Sequence, residues 1–210
     1  MTDMLLLLLS KPAFGALALV LTFVAFVPYY FTIWRGETRP HVFSWFIWGA
    51  GTVIVAFAQL SDGAGIGAWP IAVSGVLTFG VAFLALKKSP DLSIVRIDWL
   101  FLVLALSALP LWFLTSTALS AVIVLTVVDL LGFGPSLRKV IAKPHDENAT
   151  FFVIAIFRNA AVIAALENYS WTTVLFPAAV GAACVLFVAV LLIRRAMVGS
   201  APEADRHAAE

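Results

Sequence analysis

Long apolar runs dominate this chain and decide what it can fold into. Seven such runs, separated by short polar segments, have the length of about 17–25 residues that a helix needs to cross a hydrocarbon layer. They lack the alternating pattern of membrane β-barrel strands. We therefore predict an all-α membrane protein with seven transmembrane helices. The predicted spans are Ala13–Trp34, Val42–Leu60, Ile66–Leu86, Ile97–Leu114, Ala118–Leu137, Ala149–Leu166 and Trp171–Ile193.

The composition supports this class and excludes others. Hydrophobic residues make up 62% of the chain and charged residues 12%, whereas soluble domains have about 45–50% and about 25%. A net charge of +1 does not provide the strongly basic face of a nucleic-acid binder. We therefore expect the protein to lie in the lipid bilayer and to have no nucleic-acid partner.

The basic residues fix the expected orientation. Of the 13 lysines and arginines, 11 fall into the loops on one side of the predicted spans. Only Lys11 falls on the other side, and Arg158 lies within a span. Cytoplasmic loops carry such an excess of positive charge. We therefore expect a multi-pass protein of the cell (inner) membrane, with its N-terminus outside and its C-terminus in the cytoplasm.

The two halves of the sequence resemble each other at a constant offset. A shift of 107 residues places Phe26–Pro28 on Phe133–Pro135 and Pro70 on Pro177. Helices 1–3 thus repeat as helices 5–7, and the extra helix 4 makes the two copies parallel. The predicted organisation is an outside segment 1–12, a first three-helix repeat 13–88, a linker helix 89–115, a second repeat 116–195 and a disordered cytoplasmic tail 196–210.

This 3-1-3 arrangement resembles bacterial members of the SWEET and PQ-loop superfamily over roughly residues 13–195. The motifs Pro28-Tyr29-Tyr30 and Pro135-Ser136-Leu137 near the ends of helices 1 and 5 add to the resemblance, as do the Pro-His pairs before helices 2 and 6. The resemblance implies transport by alternating access, with prolines that help four helices to bend. The implied hinge residues are Pro28, Pro40, Pro135 and Pro144.

Two charged residues lie inside predicted spans, Asp129 on helix 5 and Arg158 on helix 6. A charge in this position is costly and usually faces a cavity or a partner. The rise of about 1.5 Å per residue places both at similar depths. They are either a structural ion pair between helices 5 and 6 or part of a gate or solute contact, unless Asp129 lies at headgroup level.

Further polar candidates come from the repeat. Thr52 and Asn159 align at the 107-residue offset and are expected to face each other across the repeat axis. Trp48 lies too deep for an interfacial tryptophan, so it is either a stacking wall for a solute or a core residue. The remaining hydroxyls either contact solute or bond to their own helices. The predicted substrate-binding residues are Trp48, Thr52, Ser74, Thr78, Thr126, Asp129, Arg158 and Asn159.

Other polar residues receive simpler assignments. Gln59 and the Glu167–Asn168 pair fall near the outer ends of helices 2 and 6, where we expect them to meet water. His41 and His145 lie in basic loops and are expected to contact lipid headgroups, with no metal site, because too few further ligands converge. The spans offer no nucleophile paired with a base, so we expect neither an enzyme nor a cofactor.

The sequence therefore predicts a transporter of a small, neutral polar solute, because the spans contain few ionisable residues. The alternative is a non-transporting membrane receptor or partner-binding protein on the same scaffold. The sequence leaves homo-oligomerisation open.

Overall fold

A computed structural model describes residues 10–36, 42–88, 96–142, 144 and 149–198. Within these ranges the regular structure consists of seven α-helices and one short 3-10 helix, without a β-strand. This confirms the predicted all-α class. The α-helices are α1 Lys11–Trp34, α2 Val42–Ser61, α3 Trp69–Lys88, α4 Arg96–Thr115, α5 Ala118–Ala142, α6 Ala149–Ala165 and α7 Trp171–Val198, and the 3-10 helix is Gly65–Ala68.

The helices lie where the hydropathy of the sequence predicts them. The largest differences are at C-terminal ends, since α5 continues to Ala142 and α7 to Val198. Hydropathy predicts only the apolar part of a helix, whereas the helical hydrogen bonds of the backbone continue into the polar residues that follow. Four helical segments are long and apolar enough to cross a membrane, namely α1, α2, α7 and the 3-10 helix together with α3.

The distribution of side-chain size indicates a bundle embedded in a membrane. Large apolar side chains such as Phe83, Phe113 and Leu186 are exposed on its outside, an arrangement that soluble proteins avoid. Small side chains such as Ala18 and Ala58 are fully buried between helices. Small residues allow transmembrane helices to approach closely, and lipid covers the large ones.

We call the helices α1–α3 the first group and the helices α5–α7 the second group. In the first group, α1–α3, helix α3 packs against both α1 and α2. In the second group, α5–α7, helix α7 packs against both α5 and α6. The groups meet where α1 contacts α6 and where α2 contacts α5, and α4 packs on α5 and α2.

The two ends of the bundle differ in charge. We call the end with the α2–α3 and α6–α7 connections the upper end, and the end where α3 and α7 terminate the lower end. Lys87 and Lys88 end α3 at the lower end, and Arg194 and Arg195 lie in the last turns of α7. Lys11 begins α1 at the upper end. The predicted cytoplasmic side corresponds to the lower end.

Candidate functional site

A small cavity lies between the two groups, where α2 faces α5 and the beginning of α7. Its walls include Trp48 and Thr52 of α2, Asp129 of α5 and Phe176 of α7, together with aliphatic side chains. The volume open to the centre of a water-sized sphere is about 10 Å³, which is room for about one water molecule. The structure is thus closed tightly around this site.

Gly132 of the facing helix α5 leaves the space that the indole of Trp48 occupies. A Cβ atom added at Gly132 would lie 2.7 Å from Cζ2 of the indole, so a larger residue would displace the ring. Trp48 packs edge-to-face on Trp45 with ring centroids 5.7 Å apart, and Trp45 stacks on Tyr29 at 5.1 Å. An aromatic series therefore runs from the cavity toward the lower end.

Asp129 faces the protein interior from the middle of α5. It shares the cavity wall with Leu125 and Val128, whereas Val127 and Leu130 of the same helix are exposed toward the lipid side. Among the described residues, no donor lies within hydrogen-bond or ion-pair distance of its carboxylate. Asp129 therefore presents an unpaired carboxylate to the cavity.

Arg158 is buried in α6 and bonds to the other group of helices. Its Nε donates to Oγ1 of Thr22 at 3.0 Å, and its Nη2 donates to the carbonyl of Pro70 at 3.0 Å. A third, longer contact of 3.5 Å joins Nη1 to Oδ1 of Asn159. The predicted direct ion pair with Asp129 is not formed, because α7 lies between α5 and α6, and α6 packs on α1 instead.

The other predicted site residues lie away from the cavity walls. The hydroxyls of Thr78 and Thr126 donate to carbonyls of their own helices at 2.8 and 2.6 Å. The side-chain amide of Asn159 donates to the carbonyl of Ala155 at 2.8 Å. Ser74 is buried in α3. Of the eight predicted substrate-binding residues, the cavity thus brings together Trp48, Thr52 and Asp129.

The predicted hinge prolines occupy two kinds of position. Pro28 lies inside α1 and Pro135 at a position inside α5, where a missing N–H weakens the helical hydrogen-bond ladder. Pro144 precedes α6 and is buried, and its carbonyl accepts a 3.0 Å bond from Nε of Arg195. Pro40, His41 and His145 lie outside the described residues.

At the upper end, the connections of the two groups are bonded to each other. The side-chain amide of Asn168 donates to the backbone carbonyl of Asp62 at 2.7 Å, and the hydroxyl of Ser170 donates to the carboxylate of Asp62. The backbone N–H of Glu167 donates to the carbonyl of Ala64 at 3.1 Å. These bonds join the α2–α3 connection to the α6–α7 connection.

Gln59 corrects one sequence prediction. We expected it to meet water, but it is fully buried, and its Nε2 donates to the carbonyl of Thr173 at 2.9 Å. Its Oε1 has no hydrogen-bond partner among the described residues. The prediction fails because the upper end of α2 packs against the first turn of α7. Glu167 and Asn168 are exposed, as predicted.

Sequence reasoning missed Phe176 and Gly132, since an apolar residue or a glycine within a span carries no signal of its own. No family model matches the chain, and neither a curated protein nor a solved structure gives a match.

Proposed function

We propose that this protein is a membrane transporter that moves a small polar solute by alternating access between two parallel three-helix repeats, α1–α3 and α5–α7, joined by α4. One observation carries the proposal. The cavity lies between the two groups, and Trp48 and Thr52 from one group meet Asp129 from the other there. Transporters built from repeats bind their solutes at such interfaces near the bilayer midplane.

Matching close contacts support the repeat. Gly75 of α3 abuts α2, since an added Cβ would lie 2.7 Å from Cγ2 of Val53. Gly181 of α7 abuts α6, since an added Cβ would lie 3.3 Å from Cβ of Asn159. Each group therefore uses a glycine in its third helix to approach its second helix, although Gly181 lies 106 residues after Gly75, one fewer than the offset of the sequence repeat.

The lower ends of the two groups also match. The ammonium of Lys88 lies 3.8 Å from the ring centroid of Trp34, where α3 meets α1. In the second group, Nε of Arg194 donates to the carbonyl of Ile141 at 3.0 Å, where α7 meets α5. Ile141 lies 107 residues after Trp34, the offset of the sequence repeat, whereas Arg194 corresponds at this offset to Lys87, the neighbour of Lys88.

The closed cavity and the bonded upper end suggest how the solute gains access. With the upper connections joined, the groups separate first at the lower end, and Pro28 and Pro135 supply flexible points in α1 and α5. Breaking the upper bonds would then open the other side. In the proposed orientation the upper end faces outside and the lower, basic end faces the cytoplasm.

A ligand screen followed by a flux assay tests the proposal. Purified protein is heated with neutral sugars, nucleosides, amino acids, vitamins and organic cations at up to tens of millimolar, since a ligand stabilises by about RT ln(1 + [L]/Kd). Each stabilising solute is then measured for exchange into proteoliposomes. We expect exchange of one solute class, which Trp48→Ala lowers about tenfold, a loss of about 1.4 kcal/mol.

Trp171→Ala is the matched control, because Trp171 is exposed and lies away from the cavity. Its exchange rate should equal that of the wild type. A solute that stabilises the protein without being exchanged would contradict transport and favour a receptor on the same scaffold.

A further inference from the structure

The carboxyl group of Asp129 makes no direct ion pair with a described residue. It lies in the middle of α5 and lines a cavity whose other walls are mostly apolar. An ionised carboxylate in such surroundings costs free energy unless an opposite charge or several donors face it. Among the described residues, no cationic nitrogen lies within 4.0 Å of this carboxylate, and no donor forms a hydrogen bond to it.

Arg158 does not contact the carboxylate of Asp129 and is not its ion-pair partner. Its guanidinium reaches the first group instead, where it bonds Thr22 and the carbonyl of Pro70, both at 3.0 Å. It does not belong to the cavity wall. Its charge acts on Asp129 only across the interior, so the cavity itself presents a carboxylate and no cation.

The remaining walls suit one kind of cation. Trp48 comes from the facing helix, and indole rings attract cations, more strongly where water is excluded. Thr52 adds a single hydroxyl, while Phe176 and the aliphatic side chains add apolar surface. A metal ion such as Ca²⁺ or Mg²⁺ needs about six oxygen ligands, which these residues do not supply. An ammonium group that carries alkyl substituents matches this chemistry better. It enters only when the two groups separate, because the closed cavity has room for about one water molecule.

We propose, on the basis of the proposed transport function, that the solute is an organic cation of the alkylammonium class. Its charged group sits between Asp129 and Trp48 and supplies the missing counter-charge. The loaded site is then neutral, which lowers the cost of carrying the charge through a medium of low dielectric constant. This substrate class differs from the neutral solute predicted from the small number of ionisable residues.

Three ligands of the same size separate the charge states. Choline carries one positive charge, 3,3-dimethylbutan-1-ol is its neutral isostere, and glycine betaine adds a carboxylate. Each is added to the purified wild-type protein, with sodium chloride at equal ionic strength as the control. We expect choline alone to raise the melting temperature, by about 2–4 °C or more at saturating concentration.

Variants of similar shape then assign the effect to the site. Asp129→Asn removes the charge with little change in shape and should abolish the shift with choline, whereas Asp129→Glu should retain part of it. Trp48→Phe should retain more of the shift than Trp48→Leu, because phenylalanine keeps an aromatic ring. If Asp129→Asn does not fold, the comparison of choline with its isostere in the wild type decides alone.

Exchange of labelled choline in proteoliposomes separates the two proposals. Stabilisation with exchange supports both, and stabilisation without exchange supports the cation site but contradicts transport. Equal stabilisation by the isostere, or stronger stabilisation by betaine, overturns the organic cation in favour of a neutral or a zwitterionic solute. Absence of any shift with choline overturns it as well. Exchange of a neutral solute would leave the transport proposal standing.

Discussion

The upper and lower halves of the interface between the two helix groups are held by different interactions. In the upper half, directional hydrogen bonds cross from one group to the other, from Gln59 to Thr173, from Arg158 to Pro70 and from Asn168 to Asp62. In the lower half, the groups meet through aromatic contacts, between the rings of Phe26 and Phe151 and between the indole of Trp48 and Gly132. There, Nε of Arg194 and Nε of Arg195 donate to the carbonyls of Ile141 and Pro144.

This difference determines at which half of the interface the two groups separate more easily. A hydrogen bond is lost when its atoms separate by about 1 Å beyond its usual length, so the upper half opens only if several bonds break together. Apolar and aromatic contacts have no such directional limit, and they slide at little cost. The upper half of the interface is therefore held more firmly than the lower half.

The largest effect is expected from a covalent cross-link across the upper half of the interface. We predict that Asp62→Cys with Ser170→Cys, joined by a short bis-methanethiosulfonate, lowers solute exchange more than about tenfold, since closed access on one side blocks transport. Reductant should restore exchange. The native Cys184 is 1% exposed and should not react.

The control for this cross-link lies at the same end but outside the interface between the groups. The hydroxyls of Thr115 and Ser120 are 2.9 Å apart, where α4 meets α5. Cysteines at both positions should be cross-linked without loss of exchange. Full exchange by the cross-linked Asp62 and Ser170 pair would show that the upper end does not open during transport.

An intermediate effect is expected from removing the arginine that crosses the interface. Arg158→Ala should lower the free energy of unfolding by about 2 kcal/mol, because two bonds from a charged donor are lost. Unfolding by SDS in mixed micelles measures this change. Since no direct ion pair joins Arg158 to Asp129, the effects of Arg158→Ala and Asp129→Asn should add to within about 0.5 kcal/mol. A double variant more stable than either single one would restore the ion-pair hypothesis.

The smallest effect is expected at Gln59. Gln59→Met removes the bond to Thr173 and also the buried Oε1 that has no partner among the described residues. These changes oppose each other, so the free energy of unfolding should change by less than about 1 kcal/mol. The same unfolding assay measures it. A loss of more than about 2 kcal/mol would indicate that Oε1 is bound to water in the membrane-embedded protein.

The sequence predicts the helices well because the bilayer imposes their length and hydropathy. It also places Trp48, Thr52 and Asp129 among the site candidates, because polar and aromatic groups stand out within apolar spans. It does not predict the partners of Arg158, since one of them is a backbone carbonyl and every residue has one. The burial of Gln59 depends on the start of α7, more than 100 residues later in the chain. Such contacts have no local pattern.

The small residues between the two helix groups affect how fast one group can slide along the other. An added Cβ at Gly15 of α1 would lie 3.8 Å from Cβ of Ala165 in α6, and Ala18 and Ala161 share one buried cluster. Glycine and alanine have no side-chain rotamers to lose or exchange. At these positions one group can therefore shear along the other without rotamer transitions, and the barrier to this shear is set by the hydrogen bonds that cross the interface, including those of Arg158.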